Sequence, residues 1–243
     1  GVDGLKVHSK LCLITRKDGG RIQYITQIGT GNYNEKTSRL YTDLSLMTAN
    51  EAIGKDAMKV FQSILIGNTV SHADHLLVAP ECLQAPVLKM IDDEIAIAKD
   101  GQSAYIGVKI NSLTDKKIID KLVEASKAGV KVELIVRGIC CIKAGVPGLS
   151  ENISVRSIVG NYLEHSRIFY FYNDGFEDIY MGSADWMPRN LDKRVEITFP
   201  VEDPGLKTKV KEILQIQLAD TLKAHIMPVS YTHLRAHETG RNL

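Results

Sequence analysis

The 243-residue sequence predicts an α/β protein in which a mixed sheet flanked by helices occurs twice, the copies related by internal duplication. Three observations predict it. The stretch Lys6-Val7-His8-Ser9-Lys10-Leu11 returns as Leu163-Glu164-His165-Ser166-Arg167-Ile168. Each stretch is followed by an apolar run, a glycine-led polar turn and an acid. Asn32 and Asp185 lie three residues past the leading glycines Gly29 and Gly182, Lys36 and Arg189 seven past, Asp43 and Glu196 fourteen past. Finally, strand-length apolar runs alternate with segments of helical period between residues 76 and 136.

Taken in order, residues 11–15 and 22–28 read as strands joined by Arg16-Lys17-Asp18-Gly19-Gly20, with His8 entering the first. A third strand, 40–47, carries Tyr41 and Asp43, and apolar positions at helical spacing predict a helix over 51–65. A boundary falls near 68–74. Beyond it come Leu76-Leu77-Val78-Ala79, a helix from Pro86 to Lys99, a strand over 105–110, a helix capped by Thr114 and closed by Gly129, and a strand over 130–136. In such a β-α-β unit the strands run parallel, so Lys109 with Asn111 and Arg137 with Gly138 emerge at one carboxyl edge, where open sheets bind ligands. Residues 153–159, 168–172, 179–181 and 195–199 supply further strands, and 206–222 a closing helix. Gly145-Val146-Pro147-Gly148 reads as a rigid loop. The domains are therefore 1–72 and 73–227. The 228–243 stretch continues no earlier period, resembles translated sequencing-adapter read-through and is set aside as a non-native tail, with its His233 and His237 pair.

Thirty Lys and Arg stand against twenty-nine Asp and Glu, a net charge of +1, which excludes a globally basic nucleic-acid binder. Any anionic partner must be held by locally gathered cations. The cysteines Cys12, Cys82, Cys140 and Cys141 form no CxxC, which fits a reducing compartment such as the cytoplasm. The histidine stretch stands within ten residues of the start with nothing before it to form neighbouring strands, which predicts a piece of a longer parent.

A histidine that attacks phosphorus needs a free ring nitrogen and nearby cations to spread the transferred charge. His8 with Lys10 and His165 with Arg167 meet that need, because alternate strand residues share a face. The turn Gly29-Thr30-Gly31-Asn32, and Ser183 in the second copy, can offer backbone N–H groups to a phosphate. The Gly-Thr-Gly turn is the roomier, and Asp185, in place of Asn32, is expected to orient His165 and favour its protonated form. Lys10, Lys109, Arg137 and Arg167 are the cations available to an anionic substrate. Asp92-Asp93-Glu94 reads as the wet face of a helix, His72 and His75 as a solvated joint, and Tyr162, Tyr170 and Tyr172 as packing residues. Trp186 reads as either core or stacking platform.

H-x-K followed by a G-[T/S]-x-N turn, given twice, resembles the plan of the phospholipase D superfamily, which implies two phospholipase D-like domains with both histidines in one site. That superfamily's hydrolases carry an aspartate five residues past the lysine, where this chain has Thr15 and Tyr172. The departure weighs against a plain phosphodiesterase. The fuller strings Gly4-Leu5-Lys6-Val7-His8-Ser9-Lys10-Leu11, Ile28 to Leu44, Val136-Arg137-Gly138-Ile139-Cys140-Cys141, Leu163-Glu164-His165-Ser166-Arg167 and Ser183-Ala184-Asp185-Trp186-Met187-Pro188-Arg189-Asn190 are similar to the carboxyl-terminal catalytic domains of type 1 polyphosphate kinase.

The resemblance implies reversible transfer of the ATP γ-phosphate to inorganic polyphosphate through a phosphohistidine. On the matching positions it implies His8 as nucleophile, His165 as the second active-site histidine, and Tyr41, Arg137 and His165 as nucleotide contacts. Magnesium accompanies the nucleotide, with the family's metal contacts ahead of residue 1 and none in this chain. A cytoplasmic, homo-oligomeric parent with room for peripheral membrane association, and no nucleic-acid partner, completes the expectation. The alternatives left open are a phosphodiesterase or nuclease, and an inactive fragment that only binds polyanions.

Overall fold

A computed structural model describes residues 1–227, so the 228–243 segment and its histidine pair lie outside the described residues. After β1 (Lys6–Val7), strands β2 (Leu11–Asp18) and β3 (Arg21–Gly29) form an antiparallel hairpin. Gly19 and Gly20 alone make its turn, at φ +53° and +88°, values that suit the right-handed twist of a two-residue hairpin. Hence β2 runs on to Asp18, and His8 sits before the strand rather than in it. A short helix α1 (Glu35–Ser38) follows, capped by the Asn34 side chain. The single strand expected over 40–47 is broken at Asp43 and Leu44 into β4 (Tyr41–Thr42) and β5 (Ser45–Thr48), and only β5 joins β3. Helix α2 (Glu51–Leu65) opens at Asn50, whose side chain accepts from the amides of Ala52 and Ile53.

The second half adds β6 (Leu77–Val78), α3 (Gln84–Lys99), β7 (Tyr105–Ile110), α4 (Lys116–Lys127), β8 (Lys131–Val136), β9 (Ile153–Ile158), β10 (Leu163–Glu164), β11 (Ile168–Phe171), β12 (Asp178–Gly182), α5 (Pro188–Asp192), β13 (Arg194–Val195), β14 (Ile197–Pro200), α6 (Pro204–Leu218) and β15 (Ala224–Ile226). Its eight-stranded sheet has the order β15-β9-β8-β7-β11-β12-β14-β6. Strands β7, β8 and β9 are parallel and β11, β12 and β14 antiparallel, so the sheet is mixed as expected. The small sheet β2-β3-β5 repeats the β11-β12-β14 hairpin and its neighbour. Helix α4 is capped by Asp115, which accepts from the Ile118 amide at 3.0 Å, and not by Thr114, whose own amide donates to the Trp186 carbonyl.

Two cores hold the layers. On one face Val87, Ile91 and Ile95 of α3 and Ile118 and Leu122 of α4 meet Val108, Leu134 and Phe169 of the large sheet. On the other, Ile28, Ile53 and Val60 of the first half are buried in one cluster with Ile135, Ile168, Ile197, Val210 and Leu214 of the second. Each such side chain contributes roughly 1.5–3 kcal/mol on burial, so the halves are fused by packing as well as by chain. Trp186 is core, stacked on Phe169 at 5.2 Å. Tyr170 is buried, whereas Tyr162 is exposed and packs little. The acidic run 92–94 divides: Asp92 is half-exposed and paired with Lys121, but Glu94 is fully buried and accepts the backbone amides of Tyr105 and Asn173. Taking up two backbone amides gives a carboxylate on the inner side of α3 its hydrogen-bond partners.

Candidate active site

The strand before each histidine pairs with the other half. β1 runs parallel to β13 with Val7 opposite Val195, and β10 runs parallel to β4 with Glu164 opposite Thr42. The Val195 carbonyl accepts the amides of His8 and Ser9 at 3.0 Å each, and the Thr42 carbonyl those of His165 and Ser166 at 3.2 and 3.0 Å. The residue that follows each partner strand is the acid of the fourteen-residue offset. Consequently His8 Nδ1 lies 2.9 Å from the Glu196 carboxylate, and His165 Nδ1 lies 2.8 Å from Asp43 Oδ1. Each ring donates Nδ1–H across the pseudo-twofold and directs an Nε2 lone pair away from its acid.

The glycine-led turns hold those acids. Thr30 Oγ1 donates to Asp43 at 2.7 Å and Ser183 Oγ to Glu196, while the Thr30 and Ser183 amides donate to the carbonyls of Leu44 and Ile197 at 2.9 Å each. Gly31 serves this contact as well: a Cβ there would stand 2.2 Å from Asp43 Oδ2. The room expected for a phosphate at the first turn is thus filled by the carboxylate that orients His165. Asn32 remains exposed and lines, with Gly29, Gly31, Tyr33, Tyr41 and Asp43, a groove of about 280 Å³.

The cations differ between the copies. Lys10 is buried and donates to the His8 carbonyl; burial pushes its ammonium down to about 8, against the pull of Glu196. Arg167 is buried with its Nε and Nη2 on the two oxygens of Asp185 at 3.2 Å each. Its Nη1 reaches the His165 carbonyl at 2.8 Å, His165 Nε2 at 3.1 Å and the Thr30 carbonyl at 3.5 Å, so one guanidinium touches both halves. Asp185, expected to orient His165, instead holds Arg167 and accepts the Asn111 amide at 2.8 Å, because Asp43 already occupies Nδ1. Burial holds His165 below the ordinary histidine range despite the Asp43 hydrogen bond, which corrects the expected protonated form. Burial would raise Asp43, but the interactions with His165, the Thr30 hydroxyl and the Arg167 charge together outweigh it and keep the carboxyl below the usual carboxylate range.

Arg137 Nε donates to Asn111 Oδ1 at 3.2 Å, which confirms that the carboxyl ends of β7 and β8 meet. Lys109, expected among the substrate cations, is engaged elsewhere: its Nζ lies 2.7 Å from Glu164 and also donates to Ser166. Glu164 in turn accepts from Thr42 Oγ1 at 3.1 Å and Gln217 Nε2 at 3.0 Å. The Tyr41 ring stands 5.0 Å from that of His165. Sequence reasoning counted Asp43 and Glu196 in the repeat without giving them a role, and passed over Glu164; the matched offset of the two acids was the available signal. Among the described residues no group of three or more His, Cys, Asp or Glu is placed to hold a metal ion.

Comparison with known proteins finds two family models along the chain. A family model described as polyphosphate kinase C-terminal domain 1 matches residues 1–69, and one described as polyphosphate kinase C-terminal domain 2 matches residues 76–242. Polyphosphate kinase of Bacillus anthracis is 50% identical over 223 residues, covering 92% of this chain and 32% of that protein. That of Pseudomonas aeruginosa is 47% identical over 240 residues, covering 99% and 35%. The crystal structure of polyphosphate kinase from Porphyromonas gingivalis superposes with a TM-score of 0.88 at 43% identity, covering 98% of this chain and 37% of that one. Phosphatidylserine synthase of Haemophilus influenzae, at 10% identity and a TM-score of 0.56, shares the fold alone. The chain spans about a third of the length of the curated relatives it matches.

Proposed function

Because the chain belongs to the polyphosphate kinase family, we propose that it is the carboxyl-terminal part of a longer phosphotransferase, which moves the ATP γ-phosphoryl group to and from inorganic polyphosphate through His8. One observation carries the choice of His8. Its Nδ1 is held by Glu196, its side chain is 20% exposed, and no described residue hydrogen-bonds its Nε2, whereas Nε2 of His165 faces the Arg167 guanidinium.

In the forward step His8 Nε2 attacks the γ-phosphorus. A nitrogen–phosphorus bond forms, the bond to the β-bridging oxygen breaks, and ADP leaves with the electron pair. The Nδ1 proton stays in the hydrogen bond to Glu196, which offsets the positive charge that the ring acquires. A terminal oxygen of polyphosphate then takes the phosphoryl group by the reverse displacement. Unit charges about 4 Å apart interact by roughly 4 kcal/mol at an effective dielectric near 20, so two polyanions need cations in the same cleft. Lys10, Arg137 and Arg167 supply them, with Tyr41 and His165 beside the nucleotide. Magnesium enters on the ATP phosphates, as part of that substrate.

In the full-length parent, γ-labelled ATP should leave an acid-labile label on His8; His8→Ala should abolish it and His165→Ala should not. Peptide mapping that placed the label on His165 in the unmutated protein would overturn the assignment. Alcohol release from a diester, without any labelled histidine, would favour the phosphodiesterase reading.

A further inference from the structure

Two histidines stand in nearly the same surroundings. Each gives Nδ1 to a carboxylate of the opposite half at 2.9 or 2.8 Å, each is seated by a carbonyl of the crossed strand, and each is followed two residues later by a buried cation. Orientation by an acid therefore cannot choose between them. The nitrogen that would attack phosphorus is where they differ. Lys10 ends in one ammonium, which goes to the His8 carbonyl. Arg167 is a planar fork: two of its nitrogens are fixed on Asp185, and the third spans the His165 carbonyl at 2.8 Å and His165 Nε2 at 3.1 Å. Asp185 has no equivalent anchor in the first copy, where Asn32 is neutral and exposed.

We propose that Arg167, anchored by Asp185, is the positioning residue that selects the phosphorylated histidine, by capping Nε2 of His165 and leaving Nε2 of His8 open. This inference rests on the phosphohistidine reading above. For His165 to react, its Nε2 pair must leave the guanidinium N–H and form a bond to the γ-phosphorus. The bond to the β-bridging oxygen would break with its electrons leaving on ADP, and the Nδ1 proton would remain with Asp43. Breaking a hydrogen bond from a charged donor first slows that attack by roughly 10- to 100-fold, and the fixed positive charge beside the ring disfavours the cation that phosphorylation creates. A lysine at 167 would reproduce the first copy, with one ammonium for the backbone carbonyl and none for Nε2.

The test uses the full-length parent as wild type, His8→Ala and the double variant His8→Ala/Arg167→Lys. With γ-labelled ATP, the wild type is expected to carry label on His8, His8→Ala to carry none, and the double variant to regain acid-labile label mapped to His165. In parallel, diethyl pyrocarbonate, which acylates an unprotonated imidazole, should modify His165 in the double variant at least 10-fold faster than in His8→Ala, as expected from the same cap. A folded, ATP-binding double variant without label overturns the proposal whatever its acylation rate. If the double variant has lost ATP, the acylation rates decide alone: equal rates overturn the cap and the faster rate upholds it. Absence of label from the wild type would instead sink the phosphohistidine reading, leaving the acylation arm to judge Arg167.

Discussion

Replacing Lys109 by Met tests whether the seat of His165 is held by a buried ion pair. The Lys109 and Glu164 side chains are 3% and 16% exposed and meet at 2.7 Å, and Ser166 also takes a bond from the ammonium. The variant leaves the Glu164 carboxylate with two neutral donors, Thr42 and Gln217. Breaking a buried pair from one side costs roughly 3–5 kcal/mol, and the two remaining donors put this case near the lower end. For a domain of roughly this size each kcal/mol moves the melting temperature by about 2–4 °C, so Lys109→Met should melt about 6–12 °C lower in circular dichroism. Burial holds the Lys109 ammonium below the ordinary lysine range, so its charge already carries a desolvation cost. The double variant Lys109→Met/Glu164→Leu should therefore recover part of the loss and depart from additivity by more than about 1 kcal/mol. A melting temperature within about 2 °C of wild type for Lys109→Met, or a strictly additive double variant, would refute the reasoning.

Two further outcomes are expected. Gly31→Ala places a methyl 2.2 Å from Asp43 Oδ2, so it should cost roughly 1–3 kcal/mol and free the His165 ring from its acid, whereas Gly29→Ala, 3.3 Å from the Leu44 carbonyl, should be milder; histidine NMR signals and urea midpoints compare the two. Lys10 titrates near 8 in the folded chain and at its ordinary 10.5 when unfolded, so the unfolded state holds more protons between those values and wild-type stability rises with pH across that window. Lys10→Met should lack this rise, and matching stability–pH curves for the two proteins would count against a buried ammonium.

Much of the fold was legible because periodicity is local. The helix expected over 51–65 and the strand over 105–110 occupy those residues, each written by apolar spacing and closed by its own cap or turn. The two-residue strands β1, β4, β10 and β13 are too short to carry any period, and their partners lie more than 100 residues away. The repeat announced both histidines and both acids, but chain order ties each acid to the wrong ring. Lys109 and Glu94 read as solvent-facing or substrate-facing charges, because a sequence does not show which backbone amide or carboxylate a fold will bring against them.

The crossed strands also bear on ancestry. A protein with one copy of this repeat could not have furnished either histidine with its acid; the acid would have come from a second molecule docked about a twofold axis. Joining the copies in one chain turns that encounter into an intramolecular one at millimolar effective concentration, and it releases the copies from being identical. Each can then drift, with Lys10 and Arg167, or Tyr41 and Arg194, diverging at paired positions, provided every change is tolerated by a neighbour encoded in the other copy. Compensating substitutions around these histidines should therefore pair across the two halves of the chain.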